Sequence, residues 1–391
     1  MSAQPMRYSI VLGQRASWPE LLRRARLTEE LGFDGLFLVD HFYGLKDLED
    51  PTHEAYTTLA ALAPFTSRIR LGVMVCGNTY RNPAFLLKQA ITVDHVSGGR
   101  VDFGVGAGWV EREHEAYSFE FPGAGERVSR FAEALEIWSQ LQSKRRTTFE
   151  GEHYQLLDAP FEPKSLQPGG LPVLIGGSGP KMMRLVAKYA DIWNGIGTPQ
   201  EAEAQNKKID EACVAAGRDP ATLRRAVSPS INLLASPEAF AEGARAYAAA
   251  GFDHITFPWP RVEEEEPVLR AVARDVLPPL WGTAGLHATA ATPLRLVRDA
   301  NLDEVRSWLA LVEEPIGRNV LLYLVDRPDE RFEGSALQAA LGVETHREIT
   351  RAFATLGASL AGRGLDRPWN EAQRGYLMTA EHADLLRRAG I

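Results

Sequence analysis

Through the first 257 residues, apolar runs of strand length alternate with stretches whose apolar residues recur every three to four positions. The runs cover 8–12, 35–39, 69–75, 101–105, 172–175, 192–196, 225–234 and 254–257. Few polar residues interrupt them, as expected of parallel strands covered on both faces. Between the first two, Leu21, Leu22, Ala25 and Leu31 recur near the helical period behind Ser17 and Pro19, and Gly32 stops the helix. Further helices are read at 57–63, 84–95, 128–140, 181–189, 201–216 and 237–250. Eight strand–helix units in about 280 residues is the size of one α/β (β/α)8 TIM barrel, whereas a doubly wound sheet rarely needs eight.

At 391 residues the chain exceeds one typical domain. The stretch WGTAGLHATAATP, 281–293, shifts to small residues and proline and reads as a linker. The expected organisation is a barrel domain over 1–282, a linker over 283–292 and a small, mainly helical domain over 293–391. In that last part, helices are read at 302–312 and 379–389, with a strand or buried helix at 319–325. A helical pair near 333–341 and 345–361 turns at Gly342, and a strand at 375–378 would complete a winged-helix-like order. Arginines there are matched or exceeded by acids, and the whole chain carries a formal charge of −8. Neither nucleic acid nor a membrane surface is therefore an expected partner. The N-terminus lacks a basic stretch followed by an apolar one, and no apolar run reaches about 18 residues, so a cytoplasmic protein is expected. Cys76 and Cys213 have neither disulfide-framework nor metal-site spacing, and no metal is expected.

Three strand-to-loop junctions carry chemistry. GFDGLFLVDHF, 32–42, ends an apolar run in Asp40 and His41, at the barrel end where such folds react. Histidine as a residue type, with an unperturbed pKa near neutrality, suits proton exchange; a core histidine and a helix-capping aspartate are the plainer readings. GVGAGW, 104–109, joins a strand to a helix with early acids at Glu111, Glu113 and Glu115, which suit the helix dipole. Its spacing fails the GxGxxG dinucleotide fingerprint at Val110 and Glu111. IGGSGPKMM, 175–183, joins glycines and Ser178 to a helix carrying Lys181, which suits a phosphate; a capped plain turn is the alternative. Two such turns after neighbouring strands favour one phosphorylated cofactor across the barrel mouth.

With GFDGLFLVDHF stand IRLGVMVCGNTYRNPAFLLKQAITVDHVSGGRVDFGVGAGW, the EFP and ERVSRFAEALEIW segments, and PVLIGGSGPKMMRLVAKYADIWN. In these elements the chain resembles the luciferase-like oxidoreductases, barrel enzymes that use FMN or the deazaflavin coenzyme F420. The resemblance covers residues 7 to 280. It implies that Asp40 contacts the tricyclic ring and that His41 faces the reacting centre as the catalytic group. Val73, Met74 and Val75 match a strand end where the family often carries a bulge and a non-prolyl cis peptide. Gly106, Ala107 and Gly108 match the turn near the ring and its ribityl chain, and Gly176, Gly177, Ser178 and Gly179 match the phosphate turn. Asn78, Tyr80 and Trp109 would line the substrate side.

Members that oxidise a sugar phosphate place a carboxylate where Trp109 stands and a tryptophan near Leu45, and neither is present. A pocket of Trp109, Phe42, Tyr43, Met74 and Leu45 would suit an apolar or conjugated substrate. Helical insertions around the mouth are expected at 117–125 and 147–167. The resemblance implies an F420-dependent oxidoreductase moving a hydride to or from a small organic molecule, with a homodimer or larger homo-oligomer as its assembly. The alternatives are an FMN-dependent monooxygenase fed by a separate reductase and a non-catalytic flavin-binding sensor acting through the C-terminal domain.

Overall fold

The computed structural model describes residues 6–280 apart from 46, 263 and 279. Beyond these it describes 315–327, 331–332, 339–342, 356, 369–372, 375–378 and 380–389. The chain divides into two compact units, Met1–Thr289 and Ala290–Ile391.

The first unit is a closed parallel barrel. Strands β1 (Arg7–Val11), β2 (Gly35–Leu38), β3 (Arg70–Val73), β5 (Val101–Gly106), β8 (Val173–Gly176), β9 (Ile192–Gly197), β10 (Arg224–Pro229) and β11 (His254–Pro258) pair in that order. β11 returns to β1, and β3 pairs with β5 to complete the ring. A short β4 (Cys76–Gly77) resumes the line of β3 and also pairs with β5.

The helices between strands are α1 (Trp18–Glu30), α2 (Ala55–Leu62), α3 (Pro83–Ser97), α4 (Glu111–Tyr117), α5 (Ala124–Ser143), α6 (Pro180–Tyr189), α7 (Pro199–Ala215), α8 (Pro237–Ala249) and α9 (Glu265–Ala271). Several begin on legible caps. Asn82 receives the amides of Ala84 and Phe85, and Thr198 and Glu201 cap each other reciprocally.

Alternation along each strand divides two cores. In β11, Ile255 and Phe257 point outward into the helix-covered core, while His254 and Thr256 carry polar contacts across neighbouring strands. Inside the barrel Phe37, Leu174, Ile192 and Ala226 pack together, with Val11, Met74 and Val75 against them. Asn194 donates to Ser228, and Ser228 meets Thr256 at 3.0 Å.

His254 is fully buried with Nε2 2.8 Å from Ser9 Oγ. Burial, with Arg224, Arg7 and Arg70 nearby, holds its imidazole well below the ordinary range, so it is neutral in the folded barrel. The unfolded chain binds this proton below about pH 6.5 and the folded one does not, so stability is lost as pH falls. Between about pH 6.5 and 5.5 the unfolding free energy should drop by about 1 kcal/mol from this group, and the urea midpoint with it. His254→Gln should flatten that slope in urea titrations; parallel slopes would remove His254 as their source.

Two sequence expectations need correction. The seventh apolar run, read as 225–234, is strand only through Pro229; Leu233–Ala235 is a short 3-10 helix. Leu233 and Leu234 are apolar because they are buried against the outer core, where Leu233 meets the Gly243 position of α8. Residues 147–167 hold no helix. Instead β6 (Arg146–Glu150) and β7 (Gln155–Pro160) form an antiparallel hairpin whose exposed residues break the apolar pattern. Residues 118–123, between α4 and α5, are loop.

In the second unit, 319–325 belongs to a helix, α10 (Pro315–Val325), with Val320, Leu321, Leu324 and Val325 buried. Strands β12 (Arg331–Phe332), β13 (Trp369–Ala372) and β14 (Gly375–Met378) form an antiparallel sheet with β14 central, and α11 (Ala380–Ala389) follows. The expected linker and the helix at 302–312 lie outside the described residues, as does most of the helical pair over 333–361. No described helix is long and apolar enough to cross a membrane.

Candidate active site

Strand β2 ends at Leu38, so Asp40 and His41 emerge at the C-terminal rim of the barrel. Asp40 is buried and turned to Arg81. Its two oxygens receive the guanidinium at 2.7 and 2.8 Å, and one also accepts the Gly77 amide at 3.0 Å. Burial opposes the charge on Arg81, but the bond to Asp40 outweighs it and raises the guanidinium above its ordinary value. Glu54, which caps α2, takes the remaining Arg81 contact at 2.8 Å. Asp40 therefore ties the β2 rim to the segment that follows β4.

His41 points elsewhere. Its side chain is 17% exposed, and its Nδ1 lies 3.0 Å from Glu113 Oε2. The Trp109 indole stands edge-on to the imidazole, with centroids 5.9 Å apart and planes at 89°. Trp109 itself is 69% exposed. Glu113, on α4, has a fully buried side chain, accepts the Phe42 amide at 2.7 Å and accepts the Tyr80 hydroxyl at 2.7 Å. Burial and the Glu113 carboxylate push the Tyr80 phenol far above its ordinary value, so it remains a donor. Phe42 meets Tyr80 edge-on at 5.4 Å and stacks on Tyr117 at 4.5 Å. Asn78 is buried and donates to Tyr154 beside the hairpin at 3.2 Å.

The β3–β5 pairing shows how the floor is built. Gly72 pairs with Asp102 and Cys76 pairs with Val105, so three residues, Val73 to Val75, oppose two on β5. That is a one-residue bulge. It contains a cis peptide between Met74 and Val75, where the family resemblance implied one. The bulge presses on glycines. A Cβ at Gly104 would lie 1.9 Å from the Val73 carbonyl oxygen, and one at Gly106 would lie 2.9 Å from Val75. Val75 also lies against Gly176, whose Cβ position is 3.4 Å from the same methyl. Val75 thus joins the GVGAGW turn to the GGSG turn. Gly108 has φ +84°, and any Cβ there would meet Thr79 Oγ1 at 2.5 Å.

Residues 177–179 are exposed, and Gly177, Ser178 and Gly179 donate no backbone hydrogen bond among the described residues. Gly179 is the N-cap of α6 with no side chain to fill that role, and Ser178 does not substitute for it. The N-cap of α5, Gly123, is likewise bare. Lys181 stands between them, its ammonium 3.9 Å from the Cβ position of Gly125. Free amides at two helix starts with an ammonium between them suit a phosphate. Among the described residues no group of three or more His, Cys, Asp and Glu side chains is placed to hold a metal, and Cys76 and Cys213 are free and buried.

Glu113 and Arg81 were not singled out as site residues in the sequence. For Glu113 a signal existed: on a helix, Glu111 and Glu115 share one face and Glu113 falls on the opposite one. The first two are exposed and Glu113 is buried. Arg81 lies in a turn, where an arginine carries no pattern of its own.

A family model for luciferase-like monooxygenases matches residues 3–301. An F420-dependent glucose-6-phosphate dehydrogenase of Kineococcus radiotolerans is 30% identical over 56% of this chain and 66% of its own length. A 5,10-methylenetetrahydromethanopterin reductase of Archaeoglobus fulgidus is 29% identical over 54% of this chain and 60% of its own. The chain thus spans less than two thirds of the length of these two relatives. Among solved structures, an F420-dependent secondary alcohol dehydrogenase superposes with a TM-score of 0.61 at 18% identity, covering 69% of this chain and 98% of that one. That likeness supports the barrel fold.

Proposed function

The chain belongs to the luciferase-like monooxygenase family, and we propose that it is a coenzyme F420-dependent oxidoreductase that exchanges a hydride with a small organic substrate. The observation that carries this reading is His41. It stands at the barrel mouth with one ring nitrogen held by a buried carboxylate and the other without a partner among the described residues. The relatives named above for their use of F420 support the same cofactor.

The residues present fit such a group. Met74, Val75, Gly106, Ala107 and Gly108 offer a floor on which only small residues pack, and Gly176, Gly177, Ser178, Gly179 and Lys181 offer the donors for its phosphate. Coenzyme F420 supplies a deazaflavin ring that accepts or releases a hydride. The chain supplies the rest. His41 takes the proton that leaves the substrate as its hydride departs, or returns one in the reverse direction. Asp40 and Arg81 hold the rim in place by their mutual ion pair. Phe42, Tyr80 and Trp109 line the substrate side, whereas Asn78, 1% exposed, offers it no surface; the exposed indole favours an apolar or conjugated molecule over a sugar phosphate.

Titrating the purified full-length protein into F420, and separately into FMN, and following cofactor fluorescence tests this reading. F420 should bind the more tightly. Preferential binding of FMN would replace the proposal with a flavin monooxygenase, and binding of neither would remove it. Lys181→Ala should weaken binding of the preferred cofactor about tenfold, because one charge-assisted contact is lost from a site otherwise built of amides. Unchanged affinity would take Lys181 out of the site.

A further inference from the structure

Glu113 has no exposed side-chain surface; it accepts the Phe42 amide on Oε1 and the Tyr80 hydroxyl on Oε2, and His41 Nδ1 lies 3.0 Å from the same Oε2. We propose that Glu113 is the positioning residue of this site: it fixes the tautomer and orientation of His41, so that Nδ1 carries the proton and Nε2 is the nitrogen presented to substrate. The inference rests on the role given to His41 above, although its first test does not.

The argument is one of acceptors. A neutral imidazole has one donor nitrogen and one acceptor nitrogen, and a carboxylate offers acceptors only. With Glu113 ionised, the nitrogen facing it carries hydrogen, and Nε2 keeps its lone pair. The other two donors make the assignment rigid. The Phe42 amide belongs to the residue after His41, so its bond fixes the carboxylate against the backbone that bears the imidazole. Tyr80 is itself held, stacked at 4.6 Å on His114, whose Nε2 lies 2.6 Å from Thr79 Oγ1. Trp109 closes against the ring of His41 edge-on. The imidazole therefore has little freedom to turn.

Glutamine at this position has nearly the same shape but one acceptor and one donor. If its oxygen faced His41 and Tyr80, its NH2 would meet the Phe42 N–H, a clash the backbone cannot relieve. The oxygen must therefore stay on Phe42, and the NH2 faces Tyr80 and His41. The Tyr80 hydroxyl can rotate to accept; His41 can accept only by moving its proton to Nε2. Glu113→Gln should thus invert the tautomer while preserving the fold.

The test is 15N NMR of the histidine-labelled full-length protein above neutral pH, where His41 is assigned through its loss in His41→Ala. In the native protein Nδ1 should show the protonated shift and Nε2 the unprotonated one. The opposite pattern there would overturn the proposal whether or not any variant folds. In Glu113→Gln the two shifts should exchange, kcat should fall about a hundredfold or more because the nitrogen presented to substrate then carries the wrong protonation for proton exchange, and F420 affinity should stay within about twofold. An unchanged tautomer or an unchanged kcat would overturn it. Glu113→Asp, which keeps the charge, should keep the native tautomer. If the exchange of shifts is seen but neither protein binds F420, the cofactor assignment fails and the role of Glu113 stands.

Discussion

His41→Ala should lower turnover by about 10²-fold or more while leaving cofactor affinity within about twofold of the native protein, because a positioned proton-exchanging group is worth about that much. The two halves of this expectation come from different contacts. The imidazole touches Glu113 and Trp109, and none of its contacts reaches the GVGAGW glycines, the GGSG turn or Lys181. Removing it should not disturb the turns that suit the cofactor. Nor should it unseat Glu113, which keeps the Phe42 amide and the Tyr80 hydroxyl. Initial rates at saturating F420, with a substrate drawn from a panel of small alcohols and conjugated carbonyl compounds, give the first half, and fluorescence titration gives the second. Native turnover in the variant would move the proton to another group, and loss of both turnover and binding would make His41 a cofactor contact.

The barrel was legible because its physics is repetitive. A parallel strand covered on both faces must be apolar along its length, and each of the eight observed barrel strands overlaps an apolar run, with most ends within two residues. The same rule explains the failures. It overran at Leu233 and Leu234, which are apolar for packing under a turn rather than for pairing. It was silent on the β6–β7 hairpin, where exposed residues such as Thr148, Leu157 and Asp158 follow no core pattern. For the site, Asp40 and His41 were visible as ionisable groups at a strand tip, yet their partners were not. An ion pair such as Asp40–Arg81, 41 residues apart, leaves no periodic trace. Glu113 stood among three acids that all satisfied a helix-dipole reading, and only its opposite helical face separated it from the other two. The junctions where the chain must be glycine were legible as glycine, but the reason for each is a contact that only the folded chain contains.

Gly104 is the sharpest instance and carries the second large expectation. At 104 the chain passes beside the bulge, where three residues of one strand oppose two of the other, and the crowding falls on the Val73 carbonyl. A methyl group at 1.9 Å from that oxygen cannot be relieved by a rotamer, because the atom it meets is backbone. The strand or the bulge must move by more than an ångström, and Val75 would be displaced from its seat against Gly106 and Gly176. Gly104→Ala should therefore destabilise the barrel by about 3 kcal/mol or more, at or beyond the upper end of ordinary overpacking, and any folded fraction should bind cofactor more weakly. Gly106→Ala supplies the comparison. Its Cβ would meet the end of the Val75 side chain at 2.9 Å, a neighbour able to yield. About 1 kcal/mol is expected there. Urea midpoints for the two variants decide the matter: a Gly104 variant as stable as its Gly106 counterpart would mean that the bulge is compliant. The floor of the site would then owe its shape to something other than the packing of β5 against Val73.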